Sequence, residues 1–245
     1  MPHIPNPPSP YAKAFSEYIY LNLFISKTVP HEEDGYANNL NLLRAMKSYG
    51  LDKLLVKHHA GTWNRFIGRG EQPWSQTLTI AENLRGGPEG FRAYLDTIRG
   101  LGYKVGVYTE HLISYTPLNN NWHEDWLSLD PQGQWRPGWI QGKVLSPVKG
   151  WEVADAYSRS LARTYHPDFV YEDVITAQPF WRRVDCDHRK PGAARAAVAF
   201  RCLGMIPLRE KANVGGAVFG EGGWHWFYAG LFDGNYATMI PITGP

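Results

Sequence analysis

The sequence predicts an α/β fold with a parallel sheet of the (β/α)8 TIM-barrel type. Short apolar runs alternate along the chain with longer stretches of helical periodicity, which is the pattern of repeated βα units. Polar residues cluster where the predicted strands end, at the edge where a barrel carries its active site. No glycine-rich phosphate-binding turn of the GxGxxG or GxxxxGK kind follows a predicted strand. These observations favour a barrel over a doubly wound sheet.

Five strands are predicted, and they fall short of a complete barrel. A full barrel takes about 250 residues, and only residues 222–245 remain after the fifth strand. We therefore expect a barrel that is incomplete at its carboxyl end and has about five to six strands. The expected partner of this chain is the missing C-terminal part of the parent barrel. The predicted strands are Tyr18–Ile25, Lys53–Lys57, Tyr103–Thr109, Phe169–Ile175 and Ala217–Glu221.

Helices are predicted between these strands, because apolar residues recur there at helical spacing. In the first helix the apolar stripe consists of Leu40, Leu43 and Met46. Proline cannot donate the hydrogen bond of a helix interior, so Pro207 is expected to end the last helix. The predicted helices are Tyr36–Tyr49, Pro88–Gly100, Trp151–Thr164 and Ala193 to about Met205.

The chain is predicted to consist of an N-terminal extension over residues 1–17 and a partial catalytic barrel domain over residues 18–245. Residues from about 110 to 150 form an insertion too long for an ordinary βα loop, and such loops are usually functional or disordered. Four of the ten tryptophans lie in this insertion. Because indoles offer flat apolar platforms with a polar edge, we expect a folded aromatic lid over one end of the sheet.

Composition excludes several classes of protein. A net charge of +2 and the absence of a Lys or Arg run make a nucleic-acid partner unexpected. No apolar stretch reaches the roughly 18–20 residues of a membrane span. Two cysteines define no disulfide framework. The proline-rich first ten residues do not resemble a signal peptide, the localisation stays open, and no cofactor is predicted.

Asp173 and Glu221 are the predicted catalytic pair. Each lies at the end of one of two neighbouring strands, about 4.8 Å apart in a sheet, which would bring the carboxyl groups to within roughly 5–6 Å. A separation of about 5–5.5 Å is typical of retaining glycosidases. The aromatic residues around Glu221 are expected to raise its pKa, so that Glu221 is the acid/base and Asp173 the ionised nucleophile. The alternative is that both are N-caps or surface ion-pair partners.

Further side chains near the predicted strand ends are candidates for binding the substrate. Imidazole, ammonium and carboxylate groups hydrogen-bond to sugar hydroxyls, and aromatic rings pack against sugar faces. Two adjacent histidines on one strand point to opposite faces, so at most one of them reaches the cleft. The candidates are Lys57, His58, His59, Trp63, Tyr108, Glu110, Tyr171, Trp181, Trp224 and His225.

Two other functions are compatible with the same residues. A metal-dependent barrel hydrolase would use His58 or His59 together with Glu110 and Asp173, because such sites draw ligands from several strand ends. A non-catalytic carbohydrate-binding module would use the aromatic lid and no carboxylate. The sequence favours the glycosidase, and no residue is assigned as a metal ligand.

Four stretches resemble a group of uncharacterised bacterial glycoside-hydrolase-like barrel proteins, over about residues 18–236. That group is distantly similar to retaining endo-α-N-acetylgalactosaminidases and α-galactosidase-type enzymes. The resemblance implies a carbohydrate substrate and a retaining mechanism, with Asp173 as nucleophile and Glu221 as acid/base. Members of the group are longer, with β-rich regions and usually an export signal. The stretches are Val56–Trp63, Gly106–Thr109, Tyr171–Val174 and Gly220–Leu231.

Overall fold

A computed structural model describes residues 9–23, 35–59, 62, 80, 84, 86–114, 123–139 and 142–236. The described residues form a six-stranded parallel sheet and a separate two-stranded antiparallel ladder, flanked by helices. The strands are β1 (Ile19–Leu23), β2 (Leu54–His58), β3 (Lys104–Thr109), β4 (Ile113–Ser114), β5 (Lys143–Val144), β6 (Phe169–Glu172), β7 (Ala217–Glu221) and β8 (Gly234–Tyr236). The helices are α1 (Ala12–Phe15), α2 (Gly35–Ser48), α3 (Gly87–Gly100), α4 (Pro147–Tyr165) and α5 (Ala196–Val214).

Strand order confirms the barrel type. The parallel sheet runs β1-β2-β3-β6-β7-β8, so every strand lies next to the one that follows it in the βα series. A doubly wound sheet would reverse its order at a switch point, and this sheet does not. Six parallel strands among the described residues agree with the five to six predicted for an incomplete barrel.

Several element boundaries differ from the sequence prediction, and helices α4 and α5 begin at Pro147 and Ala196 rather than at Trp151 and Ala193. The fourth parallel strand, β6, ends at Glu172, although the Asp173 N–H still donates to the Thr109 carbonyl on β3 at 2.9 Å. Helix α5 continues through Pro207 to Val214, so the expected stop was wrong. Pro207 is itself buried in the helix. Packing of α5 on α4 and on the sheet outweighs the one hydrogen bond that proline removes.

The barrel interior is filled by large rings set against glycines. Gly106 on β3 lies beside Phe169, and an added Cβ would come within 2.2 Å of the Phe169 ring. Gly234 on β8 lies beside Phe219 in the same way, and an added Cβ there would lie 2.7 Å from the Phe219 ring. Phe15 from α1 reaches this layer, with its ring centroid 6.3 Å from those of Phe169 and Phe219. The segment predicted as an extension therefore packs against the interior at the amino-terminal end of the strands.

The insertion between β3 and α4 is folded where the structure describes it. Strands β4 and β5 pair in antiparallel fashion, and an isolated bridge joins Leu129 to Trp135. Asp185, beyond β6, anchors the insertion by accepting the Leu129 N–H at 3.0 Å. Arg136 of the insertion donates to the Val184 carbonyl at 2.9 Å. The lid is thus tied to the loop that follows β6.

In the part of the chain that the structure describes, we find no helix that combines the length and apolar character needed to cross a membrane.

Substitution of Gly106 by alanine should destabilise the protein by about 1–3 kcal/mol, because the new methyl group collides with the Phe169 ring. Gly100, the last residue of α3, has open space around its Cβ position, so Gly100→Ala should change stability by less than about 1 kcal/mol. Urea unfolding followed by circular dichroism measures both. Equal effects of the two substitutions would contradict this packing.

Candidate active site

The Asp173 carboxylate is held by two tyrosines at the carboxyl-terminal end of the sheet. Tyr108 on β3 donates its hydroxyl to Asp173 Oδ2 at 2.8 Å, and Tyr171 on β6 donates to Asp173 Oδ1 at 3.0 Å. These side chains meet because residues 108 and 171 are register partners and alternate residues share one face of a strand. Burial and the charges of Asp173 and Glu221 raise the pKa of Tyr171, so its hydroxyl remains a donor.

Lys57 and His59 lie beside this carboxylate. The Lys57 Nζ sits 3.7 Å from the centre of the Tyr171 ring and 2.6 Å from His59 Nδ1. Burial lowers the pKa of Lys57 to about 7, against the opposing charges of Asp173 and Glu221. Burial and the neighbouring Lys57 lower the pKa of His59 to about 4. Near neutral pH, His59 is therefore an uncharged imidazole, and the neighbouring Lys57 is protonated in only part of the molecules.

Glu221 reaches the same site from β7 through a strained turn. The Val174 N–H donates to Glu221 Oε2 at 3.3 Å, and the Ile175 N–H closes a three-residue turn on the Asp173 carbonyl at 2.8 Å. Val174 at the centre of that turn has φ 72° and ψ −39°, a left-handed conformation that is costly for a β-branched residue. Strain of this kind is concentrated at functional sites, and here it joins the two candidate catalytic residues.

Glu110 and Arg183 lie close to the site. Glu110 is buried, and its Oε1 accepts the Ile113 N–H at 2.8 Å, so it fixes the start of the insertion. Burial raises its pKa to about 8, with Asp173 adding to the rise. Burial lowers the pKa of Arg183, which interacts electrostatically with Glu110 and Glu221. Arg183 was not among the sequence candidates, since nothing in the pair Arg182-Arg183 tells which guanidinium the fold buries.

A cavity of about 650 Å³ opens beside Glu221. The insertion contributes Trp139 to its wall, and the loops after β6 and β7 contribute Arg183 and Trp224. Trp181, 44% exposed, packs edge-on against Trp224 with ring centroids 5.5 Å apart. The size and the mixed aromatic and charged lining are those of a small-molecule site.

The sequence candidates therefore separate into distinct groups. Six of them converge on one site at the strand ends: Lys57, His59, Tyr108, Tyr171, Asp173 and Glu221. Glu110 lies close enough to Asp173 for their charges to interact. Trp224 lines the cavity, and Trp181 packs against Trp224. His225 is exposed, with its Nδ1 3.4 Å from the Gly222 carbonyl oxygen. Trp63 lies outside the described residues.

His58 does not take part in the site. It is fully buried on the face of β2 that packs against α3, where Nε2 lies 3.0 Å from the Tyr94 hydroxyl and Nδ1 lies 3.1 Å from the Gly106 carbonyl oxygen. The expectation that His58 contacts the sugar was therefore wrong. Side chains alternate along β2, so Lys57 points to the cleft side and His58 to the helix layer.

The metal arrangement considered from the sequence is not formed by these residues. Glu110 is engaged with backbone N–H groups, and His58 faces the other side of the sheet. Within the described ranges, the ligand atoms that converge belong to a different group, His111, Glu172 and Glu210.

No protein-family model matches this sequence, and no curated protein matches it. Solved structures do match. The α-N-acetylgalactosaminidase NagBb from Bifidobacterium bifidum, as a quadruple mutant, superposes with a TM-score of 0.72 at 12% identity over 93% of this chain. The GH36 α-galactosidase AgaA from Geobacillus stearothermophilus gives 0.61 at 16% identity over 90%. An α-amylase from Lactobacillus plantarum gives 0.59 at 17% identity over 86%.

The chain has the barrel fold of these glycoside hydrolases. It spans 39% of the NagBb chain, 30% of the AgaA chain and 46% of the amylase chain. Identities this low establish the fold, and fold alone does not define an activity.

The lowered pKa of Lys57 predicts a pH dependence of stability. Between pH 7 and about 10.4 the unfolded chain carries a proton on Lys57 that the folded chain lacks, so unfolding free energy should rise with pH there by up to about 1.4 kcal/mol per unit. In Lys57→Met this contribution disappears, whereas Lys149→Met, which changes a partly exposed lysine of α4, should retain it. Urea unfolding of the wild type and the two variants from pH 7 to 9 measures the difference. A Lys57→Met profile parallel to that of the wild type would contradict the prediction.

Proposed function

We propose that this protein is a glycosidase that hydrolyses α-linked O-glycosides with retention of configuration. The observation that carries the proposal is the Asp173 carboxylate, oriented by two tyrosine hydroxyls beside the buried Lys57. Hydrogen bonds of this kind hold a nucleophile in a fixed orientation for attack. Glu221, linked through the Val174 N–H, stands at the cavity beside it.

The reaction would proceed in two displacements. Asp173 attacks the anomeric carbon and forms a glycosyl ester, while Glu221 transfers its proton to the glycosidic oxygen and the aglycone leaves as an alcohol. Glu221, now ionised, then takes a proton from water as that water attacks the anomeric carbon, which releases the sugar and restores Asp173. Within this proposal neutral His59, which is partly exposed, hydrogen-bonds to a sugar hydroxyl, and Trp224 packs beside the ring. Lys57 has no exposed surface, so it acts through its contact with His59 Nδ1 rather than on the sugar.

The structural neighbours suggest the substrate class. NagBb is described in complex with GalNAc and AgaA with stachyose, and both are named as α-glycosidases. We therefore propose an α-galactoside or an α-N-acetylgalactosaminide as the sugar. A non-catalytic carbohydrate-binding module is the second candidate, favoured by the exposed Trp139 in the cavity wall and by the exposed Trp181 that packs against the cavity residue Trp224.

Hydrolysis of p-nitrophenyl α-galactoside and α-N-acetylgalactosaminide by the 245-residue chain tests the proposal. Asp173→Asn and Glu221→Gln should each lower kcat by about 100-fold or more, because one removes the nucleophile and the other the proton donor. Asp96→Asn and Glu152→Gln, on the outer faces of α3 and α4, serve as controls with unchanged turnover. Proton NMR should show that the sugar first released has the substrate's own anomeric configuration.

Sugar binding by isothermal titration separates the two candidate functions. Binding without turnover in the folded wild-type chain would replace the glycosidase by the binding module. Release of the opposite anomer would overturn the retaining mechanism while leaving a glycosidase.

A further inference from the structure

A second group of ionisable side chains lies behind the sheet, on the other face of β6 from Asp173. Glu172 is the last residue of β6, His111 follows β3, and Glu210 lies on α5. All three have 0% exposed surface. Their ligand-type atoms lie within 4.8 Å of one another, in the layer between the sheet and the helix.

Several polar atoms of this group are buried without a hydrogen-bond partner. Both carboxylate oxygens of Glu172 are in this state, as is Oε2 of Glu210. The Thr109 hydroxyl lies next to Glu172, but it donates its proton to the Tyr171 carbonyl at 3.2 Å. A buried carboxyl group left unpaired costs free energy whether it is ionised or protonated, because a protonated carboxyl still has an O–H to donate. His111 Nε2 lies 3.1 Å from Glu210 Oε1 and 3.6 Å from Glu172 Oε2, so the imidazole satisfies at most one of the two acids well.

The charged groups around Glu172 do not compensate its unpaired carboxylate. Among the described residues, the charged groups that act on it most strongly are other carboxylates, Glu210, Glu110 and Asp173. Two buried acids beside one histidine require a proton or a cation. A divalent cation balances two carboxylates, and at the same time it takes up their unpaired oxygens.

We propose that His111, Glu172 and Glu210 form a structural site for a divalent transition-metal ion of the Zn²⁺ type. Tetrahedral coordination with bonds of about 2.0–2.2 Å sets ligand atoms roughly 3.3–3.6 Å apart. The distances of 3.1 and 3.6 Å from His111 Nε2 to the two carboxylates lie close to that spacing. A donor set of one imidazole and two carboxylates, without thiolate, suits zinc and its first-row neighbours.

The ion would join three elements of the fold. Glu172 ends β6, so a metal bound there fixes the strand end that carries Asp173 on its opposite face. Complete burial of the three ligands makes the role structural and separates this site from the cleft. The sequence assigned no metal ligand, and it has no spacing motif here, since residues 111, 172 and 210 are far apart along the chain. The proposal is independent of the glycosidase activity.

Metal content tests the site directly. The chain, produced without an affinity tag in zinc-supplemented medium and desalted, should contain about one zinc per molecule by elemental analysis. The double variant Glu172→Gln/Glu210→Gln should contain at least about tenfold less. Asp173→Asn is the matched control: it removes the adjacent carboxylate on the cleft side and should retain the full zinc content.

Two further measurements keep the test decisive if the double variant folds poorly. Wild-type protein refolded with Co²⁺ should show the visible absorption of a four-coordinate nitrogen and oxygen site. Its melting temperature should be higher after refolding with Zn²⁺ than with a chelator, because the ion binds the folded state. A wild-type chain that holds no zinc, shows no cobalt band and melts identically in both conditions overturns the site. Full zinc content in a folded double variant does so too.

Discussion

The burial of the Lys57 amine is the constraint on which the organisation of the barrel mouth depends. Its side chain has no exposed surface, so burial disfavours its charged form, and its protonated form persists up to about pH 7 because opposite charge and an aromatic face lie beside it. Tyr171 supplies the ring, 3.7 Å away, and Asp173 and Glu221 supply the charge. Because these groups come from β2, β6 and β7, the charge requirement fixes the relative positions of the strand ends.

Strand β6 contributes residues to the candidate active site and to the proposed metal site, because its side chains alternate between the two faces of the sheet. Alternate side chains point to opposite faces, so Tyr171 and Asp173 enter the cleft while Glu172 enters the helix layer beside His111 and Glu210. The sheet between them is one backbone thick. A structural ion behind the sheet and a nucleophile in front of it would therefore share a strand end, and the rigidity of one would support the position of the other.

The insertion after β3 completes the site from outside the barrel. It contributes Trp139 to the cavity wall and is held down by Asp185 and by the Arg136 contact to the Val184 carbonyl. Glu110 secures its first residues through the Ile113 N–H. The loop after β6 thus both anchors the insertion and carries Arg183 into the cavity wall.

Much of the site was accessible from sequence because its residues follow strand ends. Tyr108, Tyr171, Asp173 and Glu221 were predicted from strand order and alternation alone, and the structure brings them together. Strand β8 was not recognised, since three residues after an aromatic, glycine-rich stretch present no periodic pattern. The continuation of α5 through Pro207 depends on packing against α4, which local propensity does not contain.

Sequence by itself determined the parallel βα order, the position of the polar residues at the strand ends and the aromatic character of the insertion, because hydrophobic periodicity, turn residues and composition are local properties. Tertiary structure alone decided that His58 faces α3, that Arg183 rather than Arg182 is buried, and that His111, Glu172 and Glu210 meet. These outcomes depend on which face of a strand or helix meets which neighbour. That choice is made by burial and charge compensation across the whole fold, between residues that are distant along the chain.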